Sequence, residues 1–264
     1  MSEKTVTALD SPLAILVVDD DELNQRMMRL ILQREGHRVE SAYNGEEAIE
    51  AVKSKAFDMI LMDLQMPVMD GMEASRRIRA LENGKVRTFI VALTASYLPE
   101  RGRELFEAGI DNYLSKPFEV AHLHNILQHG LEKREIPVLS ERVEPVPALP
   151  ATDLDFQVGI QRVGGDSAVY KDLLGDFIDE LPDKLEQLWS YYRYRDVDGL
   201  YRAAHNLKGV SANLGALRLS AQAQRLEKQV TQGYTESLEV LINDISPLIR
   251  KLIEAAASYF ASGK

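Results

Sequence analysis

Five polar side chains stand at the ends of short apolar runs in the first half of the chain. Asp19 and Asp20 follow the run AILVV, Asp63 follows MILM, Thr94 ends TFIVALT and Lys116 follows NYLS. If these runs are parallel strands in the order 2-1-3-4-5, the first and third strands are neighbours and ligands bind beyond the carboxyl ends of the strands. We therefore expect three carboxylates, a hydroxyl and an ammonium to lie on one rim of a sheet.

This set of groups predicts a particular chemistry. Three carboxylates held together repel one another unless one is protonated or a cation lies among them. Hard oxygen ligands with room for water suit Mg²⁺. A metal ion and a lysine neutralise the charge of a phosphoryl group, and a carboxylate can attack it as a nucleophile. The rim is thus expected to bind Mg²⁺ and to hold a phosphoryl group.

A histidine in the second half of the chain stands in the helical pattern AAHNLKGVSANLGA. One apolar stripe is predicted to face a helix bundle, formed by Leu200, Ala203, Ala204, Leu207, Val210 and Leu214. That stripe turns His205 and Lys208 outward together, so we expect an accessible imidazole with an ammonium placed to hold phosphoryl oxygens. Gly209 costs a helix about 1 kcal/mol relative to alanine, and it leaves room for a bulky partner beside the ring.

The elements that must position these residues fall into two blocks. From Leu13 to about Leu131, five short apolar runs alternate with five amphipathic stretches, which is typical of a doubly wound parallel sheet with helices on both faces. After Asp153, apolar residues recur every three or four positions, which predicts an all-α bundle. A stretch with four prolines separates the blocks. The predicted segments are a first domain over 1–131, a linker over 132–152 and a helical domain over 153–264.

Four motifs of the first domain resemble the response-regulator receiver domain: LVVDDDELN, LMDLQMPVMDGMEASRRIR, VALTA and YLSKPF. The resemblance covers about residues 14–128 and implies a flavodoxin-like fold with Asp63 as the phosphorylated residue. It implies that Mg²⁺ is bound by Asp19, Asp20, Asp63 and the backbone carbonyl of Gln65. It also implies that Thr94 and Tyr113 form a switch pair and that the Lys116–Pro117 bond is cis.

The second domain resembles the histidine phosphotransfer (HPt) domain over about residues 154–259. The segments that carry this resemblance are GIQRVGGDSAVYKDLLGDFIDELPDKLEQL, AHNLKGVSANLGA and AQRLE. It implies a four-helix bundle with His205 as the phosphorylated residue, and Asn206 stands where the family often has threonine. Together the two resemblances imply a two-component phosphorelay protein, ordered as in the tail of hybrid sensor kinases. Asp63 would accept a phosphoryl group from a histidine kinase, and His205 would pass it to or from a receiver aspartate.

Alternatives to these interpretations remain. The chain could instead be a non-catalytic interaction switch, in which phosphorylation of Asp63 changes docking and His205 carries no phosphate. The methionines at 62, 66, 69 and 72 are interpreted as packing residues rather than a soft-metal site. A solvated helix face is favoured over a metal cluster for His122, His124 and His129. For WSYYRYRD, a helix-end packing or docking patch is favoured over base stacking.

Composition limits the partners. The 264 residues hold 31 Lys and Arg against 41 Asp and Glu, a net charge of −10, which disfavours a nucleic acid or an anionic membrane surface as the main partner. The absence of cysteine excludes disulfides and thiol chemistry. No apolar run reaches the roughly 18 residues of a membrane span, and no signal-peptide core is present. No glycine-rich nucleotide loop or kinase-type ATP lid is found either. We therefore expect a cytoplasmic phosphotransfer segment without a kinase domain, whose partners are a histidine kinase and a downstream receiver.

Overall fold

The computed structural model describes residues 11–82, 87–94, 102–129, 152–233 and 237–261. The chain divides into two compact units, one built on a sheet and one made of helices. The predicted linker, 132–152, lies outside the described residues except for Thr152. Its extent therefore stays a prediction.

Five strands and five helices alternate in the first unit. The strands are β1 Ala14–Val18, β2 Arg38–Ala42, β3 Met59–Asp63, β4 Phe89–Thr94 and β5 Asn112–Ser115. The helices are α1 Glu22–Arg34, α2 Gly45–Ser54, α3 Gly71–Glu82, α4 Gly102–Glu107 and α5 Val120–His129. The strand order is β2-β1-β3-β4-β5, and β1 pairs in parallel with both β2 and β3. The predicted doubly wound five-stranded fold is confirmed.

The burial of the strands explains why continuous apolar runs form them. β3 and β4 are buried along their whole length, as expected for central strands covered by helices on both faces. β2, at the edge of the sheet, is more exposed and its first four residues alternate between exposed and half-buried. The pairing register of β1 with β3 also determines which residues meet at the edge of the sheet. Because Val18 aligns with Met62, the residues that follow them, Asp19 and Asp63, reach the same edge of the sheet.

The second unit is a helix bundle. Its helices are α6 Phe156–Arg162, α7 Ser167–Arg193, α8 Val197–Asn213, α9 Leu217–Thr231 and α10 Ser237–Ala261. Each of α7 to α10 packs against the next, and α10 packs back against α7, which closes a four-helix bundle. The short α6 is an additional helix that packs against α7 and α8. The predicted four-helix bundle is therefore confirmed.

Helix α6 is seated closely on the end of α8. A Cβ atom on Gly159 would collide with the ring of Tyr170 and would stand 2.7 Å from the carbonyl oxygen of Leu214. The Tyr170 hydroxyl donates a hydrogen bond of 2.9 Å to that same carbonyl. These contacts hold the carboxyl end of α8, the helix that carries His205.

Candidate functional site

Three carboxylates meet at the carboxyl edge of the sheet, as predicted. One oxygen from each of Asp19, Asp20 and Asp63 lies within 4.8 Å of the corresponding oxygens of the other two. Asp19 and Asp63 are each 1% exposed, and Asp20 is half-buried. Within the described part of the chain, no other group of three histidine or acidic side chains gathers in this way.

The start of α1 holds Asp19 in place. Oδ1 of Asp19 accepts the backbone N–H of Asp21 at 3.0 Å and the side-chain amide of Asn24 at 3.3 Å. Gln25 Nε2 donates to the backbone carbonyls of Asp19 at 2.6 Å and Ala42 at 2.9 Å. The third aspartate of the DDD run caps α1, because its side chain accepts from the backbone N–H groups of residues 23 and 24. Only two of the three consecutive aspartates thus join the cluster.

The loop after β3 is packed against Asp63. Asp63 Oδ1 accepts the backbone N–H of Gln65 at 2.9 Å. A Cβ atom on Gly71 would collide with the backbone carbonyl oxygen of Asp63, so the first turn of α3 sits directly on the strand end. Between them, Val68 has φ 68 and is 75% exposed, with the N–H of Met69 bonded to the carbonyl of Pro67 at 2.7 Å. This is a γ-turn around a β-branched residue, which is a strained conformation.

Two further predicted residues stand at the same edge. Thr94 ends β4 and Lys116 directly follows β5, and their exposures are 6% and 8%. Tyr113, within β5, is half-buried. The Lys116–Pro117 bond is cis, as predicted. The strand ends thus bring a hydroxyl and an ammonium to the edge that holds the carboxylates.

A second site is formed by α8 and α9. His205 Nδ1 lies 2.6 Å from Oε1 of Glu227, and Lys208 Nζ donates to Oε2 of the same carboxylate at 2.6 Å. The three side chains are 6%, 11% and 13% exposed. The prediction of an accessible histidine was therefore wrong, because the side chain is largely buried and a carboxylate of the neighbouring helix contacts its Nδ1. Lys208, expected to point toward phosphoryl oxygens, is bound to that carboxylate.

The charge state of Glu227 determines the tautomer of His205. Burial alone would raise the pKa of Glu227, but the hydrogen bond from His205 and the positive charge and hydrogen bond of Lys208 lower it overall. The group is thus an ionised carboxylate at neutral pH, and a carboxylate only accepts hydrogen bonds. The short contact therefore requires a proton on Nδ1, which leaves the lone pair of a neutral ring on Nε2.

The glycine beside His205 opens onto free space. A Cβ atom placed on Gly209 would meet no atom within 4 Å outside its own helix backbone and chain neighbours. The predicted apolar stripe of α8 is buried, apart from Ala203, which is half-buried. Gly209 itself is buried, so its role in giving a partner access to the ring stays a prediction.

Sequence reasoning did not identify Glu227 as part of this site. A signal was present, because α8 and α9 form an antiparallel hairpin around Ala216. His205 precedes Ala216 by 11 residues and Glu227 follows it by 11. In such a hairpin, residues equally distant from the turn face one another, so the pairing could have been proposed from the spacing.

The remaining candidates behave as structural residues. Met62, Met66 and Met69 are buried in the core of the first unit and Met72 packs against it, so the packing interpretation holds. His122 and His124 are half-buried, His124 Nε2 lies 3.0 Å from Glu35 Oε1, and the side chain of His129 is outside the described set. In WSYYRYRD, Trp189 packs edge-to-face on Tyr192 with centroids 5.8 Å apart.

Among the described residues, no helix is both long and apolar enough to cross a bilayer.

Both parts of the chain are similar to known protein families. The family profile of the response regulator receiver domain matches residues 15–128, and that of the Hpt domain matches residues 172–259. Signal transduction histidine-protein kinase BarA of Escherichia coli K12 is 29% identical over 247 residues, covering 92% of this chain and 26% of that protein. Sensor protein GacS of Pseudomonas syringae is 31% identical over 257 residues, covering 94% of this chain and 28% of that protein.

One solved structure is similar to part of this chain. It is the receiver domain of sensor histidine kinase PA1611 from Pseudomonas aeruginosa, with a magnesium ion coordinated in its active-site cleft. It is 39% identical and covers 47% of this chain and 100% of that one, with a TM-score of 0.43. The chain spans only about a quarter of the length of the curated relatives, 26% of BarA and 28% of GacS.

Proposed function

Because the chain is a response-regulator receiver domain followed by an Hpt domain, we propose that it carries phosphoryl groups on Asp63 and on His205 in a two-component phosphorelay. A histidine kinase supplies the phosphoryl group, and a receiver aspartate exchanges it with His205. The observation that supports this most strongly is the presence, in one chain, of a three-carboxylate cluster and a histidine whose Nδ1 is held by a carboxylate. The reaction belongs in the cytoplasm, where kinases draw on ATP.

The donor set of the first site fits Mg²⁺. With metal–oxygen distances of about 2.1 Å, ligand oxygens around an octahedral ion are about 3 to 4.2 Å apart, which is compatible with three carboxylate oxygens within 4.8 Å of one another. Asp19, Asp20, Asp63 and the backbone carbonyl of Gln65 would hold the ion. When bound, it supplies positive charge that offsets the carboxylates and the incoming phosphoryl oxygens.

Transfer to the receiver proceeds by attack of an Asp63 carboxylate oxygen on phosphorus. A new P–O bond forms, the P–N bond to the donor histidine breaks, and its electron pair returns to the imidazole nitrogen. Lys116 and Thr94 bind the phosphoryl oxygens from the same edge of the sheet. We also propose that Thr94 moves toward the phosphoryl group and that Tyr113 follows it. Amide shifts around Tyr113 that stay unchanged when beryllofluoride and Mg²⁺ are added would contradict this movement.

Transfer at the helical site uses Nε2 of His205. Its other nitrogen is engaged by Glu227, so Nε2 is the nucleophile. Gly209 provides space beside the ring for a receiver to approach. Lys208 then binds an oxygen of the phosphoryl group.

Small phosphoryl donors test the two sites separately. Acetyl phosphate with Mg²⁺ should label the parent and a His205→Gln variant, but not Asp63→Asn. Phosphoramidate without Mg²⁺ should label His205 in the parent and in Asp63→Asn, but should label neither site in His205→Gln. Label at Asp63 with none at His205 from any donor would favour the interaction switch, in which the histidine carries no phosphate. Label at neither residue would refute both interpretations.

A further inference from the structure

A groove lies between α2 and α3 of the first unit and contains none of the residues assigned to phosphoryl transfer. It has a volume of about 520 Å³. Its apolar lining includes Ile49 and Met69, which are buried, and Leu81, which is 43% exposed. We propose that this α2–α3 groove binds a short amphipathic helix of a partner protein, which packs apolar side chains into the groove and places a lysine or arginine beside Glu46. Binding of such a helix involves no phosphoryl group, so it is independent of the proposed function.

The groove begins where α2 and α3 are in contact. A Cβ atom on Gly45 would stand 2.8 Å from the Cβ of Ala74 and 2.8 Å from the Cγ of Met69, so the absence of a side chain lets the start of α2 lie this close to α3. The Gly45 N–H also donates to the carbonyl of Met69 at 3.1 Å. From there the groove follows α2 from Glu46 to Lys53, a distance of about 10 Å along the helix axis. Its length is therefore about two helical turns.

The exposure of the groove favours a helix over a small molecule. Six of the eight residues that line it are exposed, whereas small-molecule sites usually bury about 70–90% of their ligand. A docked helix packs with one face and leaves the opposite face in water. Apolar residues at positions i, i+3 or i+4 and i+7 of a helix cover about two turns, which matches the length of the groove. With this spacing, the apolar residues of the partner would contact Ile49 and Leu81.

The charges around the groove determine which partner fits. Lys53 Nζ donates to Oε1 of Glu50 at 2.7 Å, and Arg77 Nε donates to Oε1 of Glu73 at 2.7 Å. Within the part of the chain that the structure describes, the carboxylate of Glu46 has no hydrogen-bond or ion-pair partner. Because the other two carboxylates are paired, the groove presents an uncompensated negative charge at its Glu46 end. A lysine or arginine of the partner complements this charge, and an acidic residue would be repelled.

A phage-displayed peptide library tests the groove, with the full chain as the target. The peptides are built on an alanine-rich scaffold of about 16 residues, long enough to form a helix, and one face is randomised. We expect the selected peptides to carry Leu, Met or Phe at helical spacing and a lysine or arginine near one end. Leu81→Asp should raise the dissociation constant of a selected synthetic peptide roughly tenfold or more. Glu46→Lys should raise it roughly threefold or more.

An exchange of charges identifies the contact with Glu46. Replacing the basic residue of the peptide by glutamate should restore binding to Glu46→Lys and weaken binding to the parent. Glu22→Lys is the matched control, because Glu22 is also an exposed acidic residue in the first turn of a helix. This control should bind the original peptide as the parent does. If Leu81→Asp does not fold, Glu46→Lys and the exchanged peptide still decide.

Three results would overturn the proposal. Selection that yields no helical peptide would show that the groove does not bind a helix. Selected peptides that bind the parent, Leu81→Asp and Glu46→Lys equally well would show that they bind elsewhere. Self-association of the parent in sedimentation experiments, abolished by Leu81→Asp, would assign the groove to a second copy of the chain instead of a partner helix.

Discussion

Replacing Gly209 by alanine tests whether the space beside His205 serves an approaching partner. Glycine inside a helix is less favourable than alanine by about 0.9 kcal/mol. The new Cβ would meet no atom within 4 Å, so no steric penalty offsets that gain. Gly209→Ala should therefore stabilise the helical unit by about 0.9 kcal/mol, which corresponds to a rise in melting temperature of roughly 4 °C or more.

The same methyl group should slow transfer from a protein partner. A partner packed against the Gly209 surface would meet an extra carbon, and overpacking of this kind costs about 1–3 kcal/mol. Exchange with a phosphorylated receiver should therefore slow by roughly tenfold, while labelling by phosphoramidate, which is small, should change little. The variant is thus expected to be more stable and less active toward proteins.

Gly175 provides the matched control. It lies inside α7 and a Cβ atom there also meets nothing within 4 Å, so Gly175→Ala should give a similar gain in stability with parental transfer rates. Trp189, the single tryptophan of the chain, lies in α7 and reports unfolding of the helical unit by fluorescence. Destabilisation by Gly209→Ala would refute the argument from open space. Parental rates with a phosphorylated receiver would refute the argument that the gap serves docking.

Three further predictions concern the receiver unit. Asp63→Asn should abolish labelling by acetyl phosphate, and EDTA should do the same to the parent; labelling of Asp63 that persists without metal would contradict the proposed Mg²⁺ site. Asp111→Ala should lower the free energy of unfolding of the unit, measured by urea titration, by about 3–5 kcal/mol. The reason is that the buried Asp111 carboxylate lies 2.5 Å from Arg79 Nη2 and accepts the N–H of Ile90 at 2.9 Å. A decrease of less than about 1 kcal/mol would contradict this prediction. Burial and then the charge of His124 lower the pKa of His37, whose Nδ1 accepts the N–H of Leu13 at 3.3 Å. The fold therefore favours the neutral form of His37, and the free energy of unfolding should reach its full value above about pH 6.5 and fall as the pH decreases below it. In His37→Gln this fall should be less steep. Equal pH dependence of the free energy of unfolding in the two proteins would exclude His37 as the cause.

Much of the receiver site could be predicted because it depends on strand ends. Apolar runs identify the strands, and parallel order brings their carboxyl ends together. The register that aligns Val18 with Met62 then places Asp19 beside Asp63. Each of these steps uses only local pattern and a general rule of topology.

The surroundings of His205 could not be predicted in the same way. Periodicity shows which face of α8 is apolar, but it does not state which residue of the next helix stands opposite. The covering carboxylate of Glu227 and the capture of Lys208 depend on the packing of α8 against α9, so an accessible ring was expected where a largely buried one is found. The γ-turn at Val68 was also beyond sequence reasoning, since a β-branched residue disfavours positive φ.

Two prolines lie inside long helices, where the helical spacing of apolar residues outweighs the preference of proline for a helix end. Pro182 lies inside α7 and Pro247 inside α10, although proline removes a helical hydrogen bond and favours a helix end. The apolar spacing on both sides of each proline predicts one continuous helix, and the structure has one. Burial along the bundle thus offsets the local cost.

We expect this one chain to carry phosphoryl groups on both an aspartate and a histidine. Incubation with a labelled phosphorylated histidine kinase and Mg²⁺, followed by treatment with acid or base, measures this most directly, because phosphohistidine survives base and aspartyl phosphate does not. We expect base-labile label on Asp63 when the kinase is the donor. When a phosphorylated receiver is the donor, we expect base-stable label on His205 that is lost in His205→Gln. A chain that takes label only on Asp63, with His205 unlabelled by every phosphorylated receiver and by phosphoramidate, would contradict it.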